Sequence, residues 1–79
     1  STDSAVPCAM LLDLAHCLAA SLKAKRDLSL GIQFVFFDGE EAFDQWTEQD
    51  SLYGARHLAS KWANQNSIDN IELFTLLDL

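Results

Sequence analysis

Apolar positions along the chain fall into four runs of two kinds. Over residues 5–23 they recur at helical spacing: Leu11, Ala15, Leu18 and Leu22 line one face, and Met10, Leu14 and Cys17 widen it. Thr2, Asp3 and Ser4 are all helix-capping types, and Pro7 suits a first turn, where N–H groups lack intrahelical partners. The pattern predicts a well-buried helix over 5–23, followed by a short polar break at 27–29. Residues 30–37 form a nearly continuous apolar run with β-branched and aromatic members and no clean alternation. That is the mark of a strand covered on both faces. Asp38-Gly39 ends it as a turn. Residues 44–50 are polar and acidic and read as a loop. A second helix is predicted over 51–63, with Leu58, Ala59 and Trp62 inward, then a turn-rich connection over 64–70. Residues 71–77 are again almost wholly apolar and read as a second buried strand.

The order is helix, strand, helix, strand. Two buried strands joined through a helix imply a parallel pair with a right-handed crossover. The first helix would then follow a strand lying upstream. The expected architecture is a segment of a three-layer α/β fold with a parallel-strand sheet. There is no repeat, low-complexity run or internal linker, and 79 residues make at most one domain. Apolar residues at 49% suit a folded chain rather than a disordered one. A chain this short buries only ~60% of the surface its unfolded form exposes. It begins without Met and ends inside the last strand, so we expect residues 1–79 to be a single fragment of a longer protein, incomplete at both ends.

A formal charge of -7 speaks against nucleic-acid binding, which depends on neutralising phosphates. Lys23, Lys25 and Arg26 cluster where the first helix ends and complement its dipole there. Cys8 and Cys17 are nine residues apart on one helix, ~13 Å along its axis, too far to bridge each other. Any disulfide needs a partner outside this stretch. No stretch reads as a transmembrane helix or signal peptide, so no membrane contact is expected from it.

In an open parallel sheet, sites form outside the carboxyl ends of the strands. Glu40 and Glu41 follow the first strand and Asp78 ends the second. Asp3 precedes the first helix, hence follows the upstream strand. The topology therefore expects Asp3, Glu40, Glu41 and Asp78 on one edge. Singly, each has an ordinary explanation: Asp3 as an N-cap, the glutamates as solvated residues after a turn, Asp78 as a strand end. Together they would repel unless a cation or a shared proton relieved them. Carboxylates with a histidine suit zinc, and a neighbouring carboxylate can then act as general base. His16 and His57 lie within helices, away from that edge, and read as surface or packing residues. A zinc site with three protein ligands is thus incomplete within the chain. Asp13, Asp27, Asp69 and Glu72 read as surface charge.

Asp3-Ser4-Ala5-Val6-Pro7-Cys8-Ala9-Met10, Phe36-Phe37-Asp38-Gly39-Glu40-Glu41-Ala42-Phe43, Gln49-Asp50-Ser51-Leu52-Tyr53-Gly54, Arg56-His57-Leu58-Ala59 and Leu76-Leu77-Asp78-Leu79 follow one another at compatible spacing. In this order they resemble the animal-type glutaminyl cyclases, whose wider fold is that of the zinc aminopeptidases. The stretch 42–51, with Trp46, resembles the cyclases rather than the aminopeptidases. The connection over 64–70 looks shorter than in mammalian members. The resemblance implies conversion of N-terminal Gln on peptides or proteins to pyroglutamate, with Zn2+ as cofactor. It implies Asp3 and Glu41 as metal ligands, Glu40 as the proton-transferring catalytic residue, Asp78 in the catalytic hydrogen-bond network, and Trp46 lining the substrate pocket. It further implies a histidine ligand outside this chain, a disulfide partner for Cys8 upstream, and a secreted or Golgi-lumenal protein. An aminopeptidase of the same fold and a non-catalytic piece are the alternatives.

Overall fold

The computed structural model describes residues 2–24 and 29–78. Helix α1 spans Thr2–Ala24, but its backbone leaves helical geometry at Asp3 and Ser4. Regular helix therefore begins at Ala5, where the capping types and Pro7 place it. The predicted face is the one that turns inward: Leu11, Ala15, Leu18 and Leu22 are half-buried. Met10, Leu14 and Cys17 are exposed, so the expectation of a well-buried helix is corrected. Two helices and 79 residues offer too little surface to cover so wide a face. Lys23 sits in the last turn, as the dipole favours. Lys25, Arg26 and the break that opens at Asp27 lie outside the described residues.

By length and composition, Asp3–Ala24 is also apolar enough to cross a membrane. This corrects the expectation that no stretch resembles such a helix. Between Asp3 and Lys23 only Asp13 carries a formal charge, which a spanning helix and the core helix of a large domain equally tolerate.

Helix α2 spans Tyr53–Asn64, two residues later than the predicted start. Leu52 takes a left-handed conformation (φ 49°) and cannot continue a helix backwards. Ser51 is buried and its hydroxyl donates to the Thr47 carbonyl at 2.7 Å instead of capping the helix. Leu58 and Trp62 are half-buried as predicted, whereas Ala59 is exposed. The C-terminus closes on Asn66 in the left-handed region (φ 56°). There Ser67 N–H donates to Trp62 O at 2.8 Å and Asn66 N–H to Ala63 O at 3.1 Å, which satisfies carbonyls the last turn leaves open. A 3-10 turn follows at Ile68–Asn70.

The two predicted strands do not form. Among the described residues there is no strand, and residues 30–37 and 71–77 carry neither helix nor ladder. A strand is stable only where neighbouring strands take its N–H and C=O groups, and among the described residues these runs pair with none; Ile71 N–H donates instead to Ile68 O of the preceding turn at 3.1 Å. Most of their apolar side chains are accordingly exposed, Leu73 at 83% and Phe74 at 58%, while Phe34, Val35 and Leu77 are half-buried. The expected parallel sheet is thus not seen among the described residues. Two units emerge, Ser1–Phe36 with Leu76–Leu79, and Phe37–Thr75. The first contains α1; the second contains α2, the 3-10 turn and the hydrogen-bonded turn and loop of residues 38–54.

Candidate functional site

The Asp38-Gly39 turn is real and is built around a left-handed glycine (Gly39 φ 60°). Three successive N–H groups at the start of α2 fix it. Leu52 N–H donates to Glu40 O at 2.8 Å, Tyr53 N–H to Gly39 O at 2.7 Å, and Gly54 N–H to Asp38 O at 3.1 Å. A helix start leaves such N–H groups without intrahelical partners, and here the turn's carbonyls serve in place of a side-chain cap. The backbone that carries Glu40 is therefore anchored on a helix. The side chains of Glu40 and Glu41 are exposed.

The loop beyond is organised by Asp50. Its Oδ1 accepts from Phe43 N–H at 2.8 Å and from the Tyr53 hydroxyl at 2.6 Å. Its Oδ2 accepts from Asp44 N–H at 2.9 Å and Gln45 N–H at 3.2 Å. The Tyr53 hydroxyl first, then the Phe43 and Asp44 amides, hold the Asp50 carboxyl down to about 2 against a small opposing desolvation, with Gln45 adding to the effect. The same bond pushes the Tyr53 hydroxyl up, since ionised Tyr53 would face a carboxylate. Asp50 N–H in turn donates to Thr47 Oγ1 at 2.9 Å. Arg56 closes the far side: Nε donates to Ser51 O at 2.8 Å and Nη2 to Gln49 O at 2.9 Å. Its guanidinium lies 5.1 Å from the Tyr53 ring centre, and the Phe43 ring packs on Tyr53 at 5.3 Å.

Trp46 stands between two held points, the Gln45 amide and Thr47, with its side chain 59% exposed. Glu40, Glu41 and Trp46 belong to the second unit, and Asp3 and Asp78, both exposed, to the first. No group of three or more His, Cys, Asp or Glu side chains gathers among the described residues. Asp3 and Glu41 offer the carboxylate oxygens zinc accepts, but two donors fall short of the three a protein zinc site needs. His16, His57, Asp13, Asp69 and Glu72 are exposed, as surface residues should be, and Asp27 lies outside the described residues. Cys8 and Cys17 are free thiols, as their separation requires. The roles of Asp50, Tyr53 and Arg56 escaped the sequence reading. Their only signal was an acid three residues before a tyrosine in a polar loop.

The turn-and-helix site and the whole of its flanking sequence match one family model, Peptidase family M28, over residues 1–79; the chain belongs to that family. Among curated proteins it is 54% identical over 79 residues to a glutaminyl-peptide cyclotransferase of Drosophila melanogaster, covering 100% of this chain and 22% of that protein. It is 48% identical over 93 residues to that of Bos taurus, covering 100% and 26%. It is 44% identical over 93 residues to that of Dictyostelium discoideum, covering 100% and 25%. The chain thus spans about a quarter or less of the length of these relatives. A 93-position match to 79 residues means that the Bos taurus protein carries residues this chain lacks, which agrees with a shorter connection without locating it.

Proposed function

We propose that the protein to which this chain contributes is a glutaminyl-peptide cyclotransferase, and that residues 1–79 are part of its catalytic domain. The observation that carries this reading is identity of 44–54% over the whole chain to proteins of that name. The stretch 42–51 with its exposed Trp46 supports it further. In the complete protein, residues 30–37 and 71–77 would pair within the parallel sheet of the aminopeptidase-like fold, bringing Asp3, Glu40, Glu41 and Asp78 to one edge.

The reaction closes a ring within the substrate. The α-amine of an N-terminal Gln attacks its own side-chain carbonyl carbon, a new C–N bond forms, and the bond to the amide nitrogen breaks, releasing ammonia. The attacking amine must lose a proton and the departing nitrogen must gain one. A single carboxylate beside both performs each in turn, and Glu40 holds that role. Its carbonyl is tied to Leu52 N–H, so its backbone is fixed while its side chain remains accessible. Zinc, when bound, would supply Lewis-acid polarisation of the carbonyl. Asp3 and Glu41 would hold it together with a histidine from elsewhere in the protein. Asp78 would order the hydrogen bonds around the reacting groups, and the Trp46 ring would form a wall of the substrate pocket. Because the substrate carries its own nucleophile, none is required from the enzyme. Substrates are peptides or proteins beginning with Gln, met in a secretory or Golgi lumen, where Cys8 would pair with an upstream cysteine.

The family name supports a second reading, hydrolysis of an N-terminal peptide bond. Incubating the intact protein with N-terminal Gln peptides and with chromogenic amino-acid amides separates the two. Ring closure with ammonia release is expected; free amino acid without ring closure would establish the aminopeptidase instead.

A further inference from the structure

We propose that Asp50 is a positioning residue that holds the Trp46 loop and the Glu40 turn in one register for the substrate. The inference rests on the cyclotransferase reading and deepens it. Both oxygens of this one carboxylate are engaged. Phe43, Asp44 and Gln45 donate three consecutive backbone N–H groups to it, and Trp46 is the next residue. On its other side, the Tyr53 hydroxyl donates to it at 2.6 Å. Tyr53 is also the residue whose own N–H holds Gly39 O at 2.7 Å, next to Glu40. A path from Trp46 to Glu40 therefore runs through Asp50 and Tyr53, over these hydrogen bonds and the peptide links that join Trp46 to Gln45 and Glu40 to Gly39. Trp46 is 59% exposed, so its location depends largely on the backbone beneath it. Thr47 fixes the following residue by accepting Asp50 N–H through Oγ1 and, at 3.2 Å, through its carbonyl. A charged acceptor holds such amide donors about twice as strongly as a neutral one would.

Asp50→Asn tests this without altering shape. It replaces one oxygen with an NH2 donor that would face N–H groups. Steady-state kinetics on an N-terminal Gln peptide are measured for the intact full-length protein, Asp50→Asn, Trp46→Ala and the double variant. Tyr53→Phe, which keeps both ring contacts, is a second probe, and amide exchange over residues 43–46 reports the loop. Asp50→Asn should lower kcat/KM by up to about 100-fold, mainly through KM, with faster exchange at 43–45. In the Trp46→Ala background the same change should cost much less, because the group it places is already gone. Tyr53→Phe should raise KM in the same direction by a smaller factor. A merely structural role would reduce the active fraction, hence kcat, at unchanged KM. If Asp50→Asn fails to fold, Tyr53→Phe and its cycle with Trp46→Ala decide. An active wild type whose KM is unmoved by these changes, or an additive cycle, overturns the role of Asp50 alone. A wild type inert toward Gln peptides overturns the functional reading, and this inference with it.

Discussion

Gly54 lies directly against Asp38: a Cβ at Gly54 would stand 2.5 Å from Asp38 Oδ1 and 2.8 Å from its backbone oxygen. No side chain fits there unless the turn moves, and the turn is what Glu40 rides on. Gly54→Ala should therefore destabilise the intact protein by about 1–3 kcal/mol in denaturant unfolding. Gly39→Ala should cost about 1–2 kcal/mol, since its φ of 60° is left-handed and its Cβ would come within 3.1 Å of Tyr53 Cβ. Unchanged midpoints in both variants would mean that the Asp38–Gly54 packing is dispensable.

The Asp50 clamp should weaken in acid. Its carboxyl titrates at about 2 in the fold against an ordinary 3.8, so the unfolded loop binds a proton first. A depressed value of this kind contributes stability fully above pH 3.8 and loses it as pH falls through about 2. Amide exchange at residues 43–45 should accelerate across that window and show no such step in Asp50→Asn. At the alkaline end the Tyr53 value is raised, so the bond's contribution is complete below pH 10 and is lost as pH rises beyond it.

Glu40 and Glu41 should separate cleanly in the intact protein. Glu40→Gln should lower kcat by about 100- to 10,000-fold while zinc content stays normal. Glu41→Gln should lower zinc content itself. Metal analysis of the two purified variants checks the assignment, and loss of zinc from Glu40→Gln would reverse it.

Trp46→Ala should leave the unfolding midpoint near wild type, because the ring is not packed, yet raise KM for Gln peptides. A collapsed midpoint would mean that Trp46 packs structurally instead.

The isolated 79-residue chain should bind zinc weakly and turn over nothing, since two carboxylates do not complete a three-ligand site. Zinc stoichiometry and ammonia release on that chain measure this; robust turnover would show the rest of the protein to be unnecessary.

Helix registers were legible in the sequence because they depend on local spacing. Leu11, Ala15, Leu18 and Leu22 are the half-buried stripe, and Ala5 is where regular helix begins. Strands were legible only as appetite for partners: residues 30–37 and 71–77 have the right composition, but pairing is a property of neighbours. The Asp38-Gly39 turn could be read from its residue types. The start of α2 could not, because Ser51 gives its hydroxyl to Thr47 rather than to the helix. Asp50 was hidden for a related reason. Besides the Tyr53 hydroxyl, its partners are three backbone N–H groups, and those look alike in every sequence.

The hydrogen bonds over residues 38–54 all join positions at most sixteen apart. Short loops close fast and at small entropic cost. This segment should therefore order early during synthesis, ahead of the slower, longer-range strand pairing. The Asp38-Gly39 turn would then serve as a seed onto which the sheet assembles, and variants at Asp50 or Gly54 should slow refolding of the intact protein as well as weaken it.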